Sequence, residues 1–158
     1  MLPSWSMGQL VEALRALRGM EMISAVTFAA NVGDLGRFET PRQLMAYLGL
    51  VPSEHSSGGC TRRGGITKTG NREARRMLIE AAWSYRYPAR VAIDKAEVIV
   101  KLPKTVRDIA WKAQVRLCAR FRSLTAKGKK STVTVAAIAR ELSGFVWALG
   151  REVKPALP

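Results

Sequence analysis

The chain has 158 residues, which is enough for one domain with a hydrophobic core and too few for two ordinary domains. Its 26 Lys and Arg residues against 12 Asp and Glu residues give a net charge of +14, which points to nucleic acid or an anionic membrane surface as the partner. No apolar run has the length of a membrane span, and the N-terminus lacks the pattern of a secretory signal. We therefore predict a cytoplasmic protein that binds nucleic acid and has no membrane partner.

Apolar residues at helical spacing over 9–17 and again over 20–32 predict two helices joined at Gly19, a helix-hairpin-helix-like start over 9–33. The second helix should end at Gly33. The amides of such a hairpin can approach a DNA phosphate. Here the hairpin keeps one glycine and carries Glu21, whose carboxylate would repel phosphate. Phosphate binding and simple helix packing both stay open for this turn.

Residues 34–88 are predicted to hold a serine loop followed by a basic helix. Thr40 as N-cap and Pro41 at the first helical position predict a helix that buries Leu44, Met45 and Leu48. The segment 49–67 is rich in Gly, Ser and Pro, so we expect little regular structure there beyond two short extended pieces that can pair. Those pieces lie around Leu50-Val51 and Gly65–Thr67.

Asn71 should cap the basic helix, which has a clear apolar face and ends before Tyr87-Pro88. Three arginines, Arg72, Arg75 and Arg76, are predicted to lie off that face. The residues predicted to form the buried face are Ala74, Met77, Leu78, Ala81, Ala82 and Tyr85.

The C-terminal part, 104–149, is predicted to hold two helices, one starting near Thr105 and one capped by Ser131. Residues 89–103 fit either a short helix or an exposed apolar segment. The aromatic residues of this region and of the basic helix lie at core spacing, so we predict packing rather than base stacking for Trp83, Tyr85, Trp111 and Phe121. The fold class is mainly α, in a single domain over 1–158: a helix-hairpin-helix-like start, a Gly-rich basic loop and a small helical bundle.

Ser57 is the candidate nucleophile, in a loop that also contains Ser56 and His55. A serine hydroxyl is a weak nucleophile and needs cations that hold a phosphate and neutralise developing charge. Glycines on both sides of the basic cluster let DNA approach the backbone closely. The ordinary alternative is that these serines only form a turn, which is the commoner role in Gly-rich loops.

A basic cluster follows the serines, and basic residues recur near residue 130. Lys and Arg residues in such a pattern are either a solvated face or phosphate contacts, and the net charge favours contacts that are salt-dependent and carry no sequence readout. Asp34, Asp94 and Asp108 are scattered, so no metal site is predicted. The predicted nucleic-acid-binding residues are Arg62, Arg63, Lys68, Arg72, Arg75, Arg76, Lys127, Lys129 and Lys130.

The string RFETPRQLMAYLGLVPSEHSSGGCTRRGGITKTGNREARRMLIEAAWSYR resembles the C-terminal domain of the insertion-sequence transposases of the one-ten, one-sixteen and nine-oh-two family. It is most similar to the eleven-eleven subgroup, relatives of the Piv DNA invertase. The preceding LRGMEMISAVTFAANVGDLGRF and the later ARFRSLTAKGKKSTVTVAAIARELSGFVWAL are similar to the flanking segments of that family.

The resemblance implies a serine that becomes joined to cut DNA, and it favours Ser57 because the family's serine stands in a Ser-Gly pair after the GL.P turn. It also implies a guide (bridge) RNA, homo-oligomers, and a partner RuvC-like domain that binds Mg²⁺ with four acidic residues. This sequence contains no such domain, so we expect no cofactor in this chain and no activity without that domain in cis or in trans. The alternatives are a catalytically incompetent nucleic-acid-binding module and, less well supported, a ribosome-associated basic protein.

Overall fold

The computed structural model describes residues 5–57 and 59–153. At 54–57 and 60–63 it describes only the backbone path. The described residues contain seven α-helices and one β-hairpin. The strands β1 (Pro52–Ser57) and β2 (Cys60–Ile66) form an antiparallel pair between the third and fourth helices. The predicted mainly helical fold class is confirmed. The helices are α1 (Gly8–Leu14), α2 (Met22–Val32), α3 (Pro41–Tyr47), α4 (Arg72–Trp83), α5 (Ile93–Val100), α6 (Lys104–Ala126) and α7 (Ser131–Glu152).

The core is built around α7, which packs against α6, α4, α3 and α1. Its inward face buries Val135, Ile138, Leu142, Val146 and Leu149. Contrary to our expectation from sequence, α7 has the length and apolar character of a membrane span, with a mean hydropathy of 1.3 over its most apolar window. Because that apolar face is covered by four other helices, α7 is a core helix of this domain.

Local capping chemistry sets the helix boundaries that the sequence predicted. The Oδ1 of Asn71 accepts from the backbone N–H of Ala74 at 2.9 Å, and the hydroxyl of Thr40 accepts from the N–H of Gln43 at 3.3 Å. Gly33 ends α2 with φ +74°. Each cap satisfies a backbone group that the helix end leaves unpaired. Ser131 differs from the prediction: it is the first residue of α7 and not its cap.

The turn between α1 and α2 packs against α4. The first helix ends at Leu14, shorter than predicted, and Gly19 adopts φ +82°. A Cβ at Gly19 would lie 2.7 Å from the Cα of Ala81 and 2.8 Å from the hydroxyl oxygen of Ser84, so a side chain has no room there. Of the two interpretations left open for this turn, the geometry supports helix packing, and phosphate binding stays a prediction.

The ambiguous segment forms the short helix α5, which contributes no buried residue. Its Lys95 ammonium instead reaches into the α1–α2 turn, donating to the carbonyl oxygens of Arg15 at 2.8 Å, Leu17 at 3.1 Å and Met20 at 2.9 Å. The ammonium also pairs with the carboxylate of Glu21 at 3.0 Å. We call this arrangement the Lys95 cage, and it is the main polar attachment of α5 to the rest of the domain.

Candidate nucleic-acid interface

The predicted serine loop is a β-hairpin over 52–66, so the expectation of a largely irregular loop was wrong. The two extended pieces do pair, as the sequence allowed, but the ladder is longer than those pieces. Pro52 lies opposite Ile66 at the base, and Ser57 lies opposite Cys60 at the other end, with an irregularity between Pro52 and Glu54. Ser57 is therefore the last residue of β1, next to the connection between the strands.

The same register places the basic residues of β2 alongside β1. Arg62 is the Cα partner of His55, and Arg63 is the Cα partner of Glu54. Thus Ser57, Arg62 and Arg63 belong to one two-stranded unit, although their side chains lie outside the described part of the structure.

Hydrogen bonds at the base of the hairpin fix it to the segments that end α3 and begin α4. The hydroxyl of Ser53 donates to the carbonyl of Gly65 at 2.8 Å, and the N–H of Thr67 donates to the carbonyl of Val51 at 3.0 Å. The N–H of Lys68 closes the base by donating to the carbonyl of Gly49 at 3.0 Å. Lys68 does so with φ +57°, a left-handed conformation that costs a residue with a Cβ about 1 kcal/mol.

Two glycines let these segments touch. A Cβ at Gly49, where φ is +69°, would lie 2.6 Å from the backbone nitrogen of Thr69. A Cβ at Gly70, where φ is +82°, would collide with the carbonyl oxygen of Tyr47. The base of the hairpin is consequently held by backbone against backbone, which positions Lys68 and the start of α4 beside it.

Arg75 was predicted to lie off the core face of α4, and that prediction was wrong. The residue is 9% exposed, and its Nη1 donates to the carbonyl oxygens of Leu48 and Thr69, both at 3.0 Å. The guanidinium therefore joins the segment before the hairpin to the segment after it. Position 75 is next to Ala74 and three before Leu78, at the edge of the apolar face, where a long aliphatic stem reaches the interior.

The other predicted cations near the hairpin face solvent. Lys68 and Arg72 are exposed, and neither has an ion pair among the residues whose side chains are described. Arg76 is exposed too, but its guanidinium pairs with Glu80 at 2.9 Å and with Glu73 at 3.7 Å. Among the described side chains beside the hairpin, Lys68 and Arg72 are thus the cations that can pair with an external anion without breaking an ion pair.

Lys127, Lys129 and Lys130 lie in the exposed turn between α6 and α7, with Gly128 at φ +76°. Within the described ranges, no hydrogen bond or ion pair joins this turn to the hairpin. The predicted nucleic-acid-binding residues therefore fall into two places in the fold.

The part of the chain that the structure describes contains no group of three His, Cys, Asp or Glu residues that would hold a metal ion. A groove of about 760 Å³ opens between α1 and α5, but no predicted site residue lines it. Its lining includes Trp5, Glu12, Glu97 and Lys101. The candidate site therefore depends on the hairpin and its cations.

Two features near these surfaces escaped the sequence analysis. The guanidinium of Arg37 lies over two rings, 4.4 Å from the ring centre of Phe38 and 4.6 Å from that of Tyr47, and it donates to the carbonyl of Val32 at 2.8 Å. Trp111, predicted to pack in the core, is 47% exposed. The prediction of packing is confirmed for its three companions, since Tyr85 is fully buried, Phe121 is 8% exposed, and Trp83 is partly buried against the core.

Comparison with known proteins identifies the family of the chain. The model of the transposase family described as IS116/IS110/IS902 matches residues 11–94, which is more than half of the 158 residues. The chain belongs to this transposase family. The matched range runs from α1 through the hairpin and α4 into α5, so it contains Ser57 and the cations around it.

One relative extends the similarity over nearly the whole chain, including the closing helices. "Putative transposase y4qE" of Sinorhizobium fredii is 58% identical over 153 residues, which are 97% of this chain and 39% of the relative. The transposase for insertion sequence element IS1111A of Coxiella burnetii is 34% identical over 90 residues, 57% of this chain and 25% of that protein. This chain spans well under half the length of either relative. The family expected from the sequence is confirmed, and the relation to Piv stays a prediction.

Proposed function

We propose that this transposase chain provides the serine that becomes joined to cleaved DNA, and that Ser57 is that residue. The observation that carries the proposal is the position of Ser57 at the end of β1, in a hairpin whose base is fixed by backbone contacts and flanked by the exposed Lys68 and Arg72. Family membership supports action in DNA transposition.

The proposed step is a phosphoryl transfer from DNA to the serine. The Oγ of Ser57 attacks a backbone phosphorus, a serine–phosphate ester forms, and the bond from phosphorus to one deoxyribose oxygen breaks. The serine proton ends on that leaving oxygen, so the step needs no oxidant or reductant. Arg62, Arg63, Lys68 and Arg72 would hold the phosphate and stabilise the charge that grows on its oxygens.

Arg75 takes a different role from the one first predicted. With its guanidinium on the carbonyls of Leu48 and Thr69, it acts as a positioning residue for the hairpin. Arg76 and the 127–130 turn would add further phosphate contacts. No step is assigned to a metal in this chain, because the described residues do not form a ligand set; a RuvC-like domain, in cis or in trans, would bring Mg²⁺.

The test is a covalent-adduct assay. The chain is combined with the remainder of the transposase as found in its longer relatives, and a nicked, labelled donor DNA is added before denaturing electrophoresis. We expect Ser57→Ala to abolish the labelled protein–DNA adduct and Ser56→Ala, the matched neighbour, to retain it. Ser57→Cys should restore a fraction of adduct that is sensitive to phosphorothiolate-cleaving reagents. An adduct that persists in Ser57→Ala at wild-type level removes Ser57 from this role.

The second candidate function is a basic nucleic-acid-binding module without catalysis, either inert or acting through mixed oligomers with intact transposases. It is favoured by the net charge of +14, which supports binding to a polyanion whether or not a strand is cut. The adduct assay separates the two functions, because this module binds donor DNA or a guide RNA and forms no adduct with any serine present.

A further inference from the structure

The outer face of α6 presents an aromatic residue to solvent. Trp111 and Val115, one helical turn apart, are each 47% exposed. Together with Asp108, Lys112 and Arg116 they line a shallow, open depression on the surface. A large indole is normally buried when the fold offers it a core. This one is left accessible on a helix whose other face is packed against α7.

The same helix is strongly basic. It has six cations, Lys104, Arg107, Lys112, Arg116, Arg120 and Arg122, and one acid, Asp108.

Internal ion pairs use half of these cations. The ammonium of Lys104 pairs with Asp108 at 2.8 Å, and Arg116 and Arg120 share Glu141 of α7 at 3.1 and 3.3 Å. The other half, Arg107, Lys112 and Arg122, are exposed and have no ion pair with any described side chain. The depression around Trp111 therefore lies in a field of uncompensated positive charge.

We propose that this face of α6 binds unpaired nucleotides, with Trp111 stacking on a base and with Lys112 and Arg107 contacting the neighbouring phosphates. The charge selects a polyanion. The exposed indole then selects among polyanions, because base faces are hidden inside a stacked duplex and are open in single strands, loops and ends. The surface is separate from the hairpin, so the inference goes beyond the proposed role of Ser57.

A second copy of the chain is a poorer occupant of this face. Two such faces placed together would oppose their uncompensated cations, with Asp108 as the acid of each helix already held by Lys104. Like charges that face each other across an interface disfavour association. A nucleic acid strand removes the same repulsion by supplying phosphates.

The experiment measures the affinity of the full chain for a labelled ten-nucleotide single strand and for a duplex of the same sequence, by fluorescence anisotropy. We expect Trp111→Ala to weaken binding of the single strand about tenfold, since stacking on one base is worth about 1–3 kcal/mol. Duplex affinity should change by less than about twofold. Trp111→Phe should recover most of the loss, because a phenyl ring still stacks.

Two controls accompany these variants. Ile93→Ala removes an apolar side chain that is 92% exposed on α5, so it reports any general effect of surface hydrophobicity. Lys112→Ala should weaken single strand and duplex together and lower the salt slope by about 1. Circular dichroism and thermal unfolding of Trp111→Ala establish that the helix bundle is intact.

Three outcomes would overturn the inference. In the first, the wild-type protein does not bind the single strand. In the second, Trp111→Ala leaves the affinity for the single strand unchanged or lowers the affinities for single strand and duplex equally. In the third, Trp111→Ala instead changes the oligomeric state in sedimentation. None of them bears on Ser57, whose test is the covalent adduct, so failure of one proposal is distinguishable from failure of the other.

Discussion

At the scale of single residues, Arg75 shows how one buried cation determines where the hairpin sits. Its guanidinium donates to the buried carbonyl of Leu48 and to the carbonyl of Thr69, which lies at the partly buried edge of the junction. Hydrogen bonds from a charged group contribute about 1.5–3 kcal/mol each, and an orphaned buried acceptor costs about as much.

We therefore expect Arg75→Met to lower the free energy of unfolding by about 3 kcal/mol in urea titrations. Arg72→Met, three residues earlier on the exposed side of α4, is the matched control and should change it by less than about 0.5 kcal/mol. In the adduct assay, Arg75→Met should also reduce the yield of protein–DNA adduct, because the hairpin that carries Ser57 is no longer held in place. Equal stability effects of the two variants would mean that the Arg75 hydrogen bonds do not hold this junction.

Residue-scale prediction from sequence succeeded where the chemistry is local. Asn71 and Thr40 cap helices by accepting from the N–H three residues further on, so their roles can be predicted from the order of residues alone. The predictions for Trp111 and Arg75 were wrong for a common reason. Each stands at the edge of a helical apolar stripe, where periodicity does not decide between inside and outside, and the outcome depends on partners distant in sequence.

At the scale of elements, α5 depends on the Lys95 cage. The helix buries no residue, and Ile93 and Val100 are largely exposed. We expect Lys95→Met to detach α5, seen as faster hydrogen–deuterium exchange of its amides, while the amides of α6 stay protected. Lys101→Met, an exposed lysine just after α5, should leave the exchange of α5 unchanged. If α5 remains equally protected without Lys95, its apolar contacts hold it and the cage does not.

The cage also has a pH signature. Burial lowers the pKa of Lys95 below its ordinary value, and its hydrogen bond with Glu21 opposes the shift. Between the lowered and the ordinary pKa, the unfolded chain holds a proton that the folded chain has released, so the free energy of unfolding rises with pH in that window. We expect the stability difference between wild type and Lys95→Met to be flat near neutral pH and to grow in favour of wild type towards pH 10. A difference that shrinks over that range would contradict the direction of the shift.

The hairpin is the element that sequence reasoning described least well. Many of its residues are poor strand formers, and a Gly-rich segment without an apolar alternation carries little local signal for pairing beyond the two short pieces at its base. The pairing is instead stabilised at the base of the hairpin, where Gly49, Lys68 and Gly70 allow the flanking segments to come into contact. These contacts join residues about twenty positions apart, so patterns among neighbouring residues do not predict them.

At the scale of the whole molecule, the net charge of +14 predicts binding dominated by phosphate contacts. The logarithm of the association constant for duplex DNA should fall linearly with the logarithm of salt concentration, with a slope of about −0.9 per phosphate neutralised, or about −5 for six contacts. A gel-shift titration over salt measures it. No binding to duplex DNA or structured RNA at low salt would remove the nucleic-acid interpretation as a whole.

Alanine substitutions of charged residues then measure how much of the slope comes from the base of the hairpin and how much from the turn between α6 and α7. Replacing Lys68 and Arg72 should lower the slope by about 2, and replacing Lys127, Lys129 and Lys130 should lower it by up to about 3. A turn variant with the wild-type slope would show that the lysines between α6 and α7 are a solvated face. The mainly helical architecture itself followed from the apolar periodicity of α4, α6 and α7, because these helices are long enough for their stripes to be unambiguous.

The Lys95 cage finally implies an order of events during synthesis. The carbonyls that Lys95 binds lie 75 to 80 residues before it in the chain. At a translation rate of about 5–20 residues per second, roughly 4–16 s pass between the appearance of the α1–α2 turn and that of its ammonium. During that interval the carbonyl of Leu17 can accept from the N–H of Met20, but the ammonium that joins all three carbonyls is missing. The turn between α1 and α2 therefore gains its full set of native hydrogen bonds only after Lys95 has been made, more than half of the way along the 158 residues.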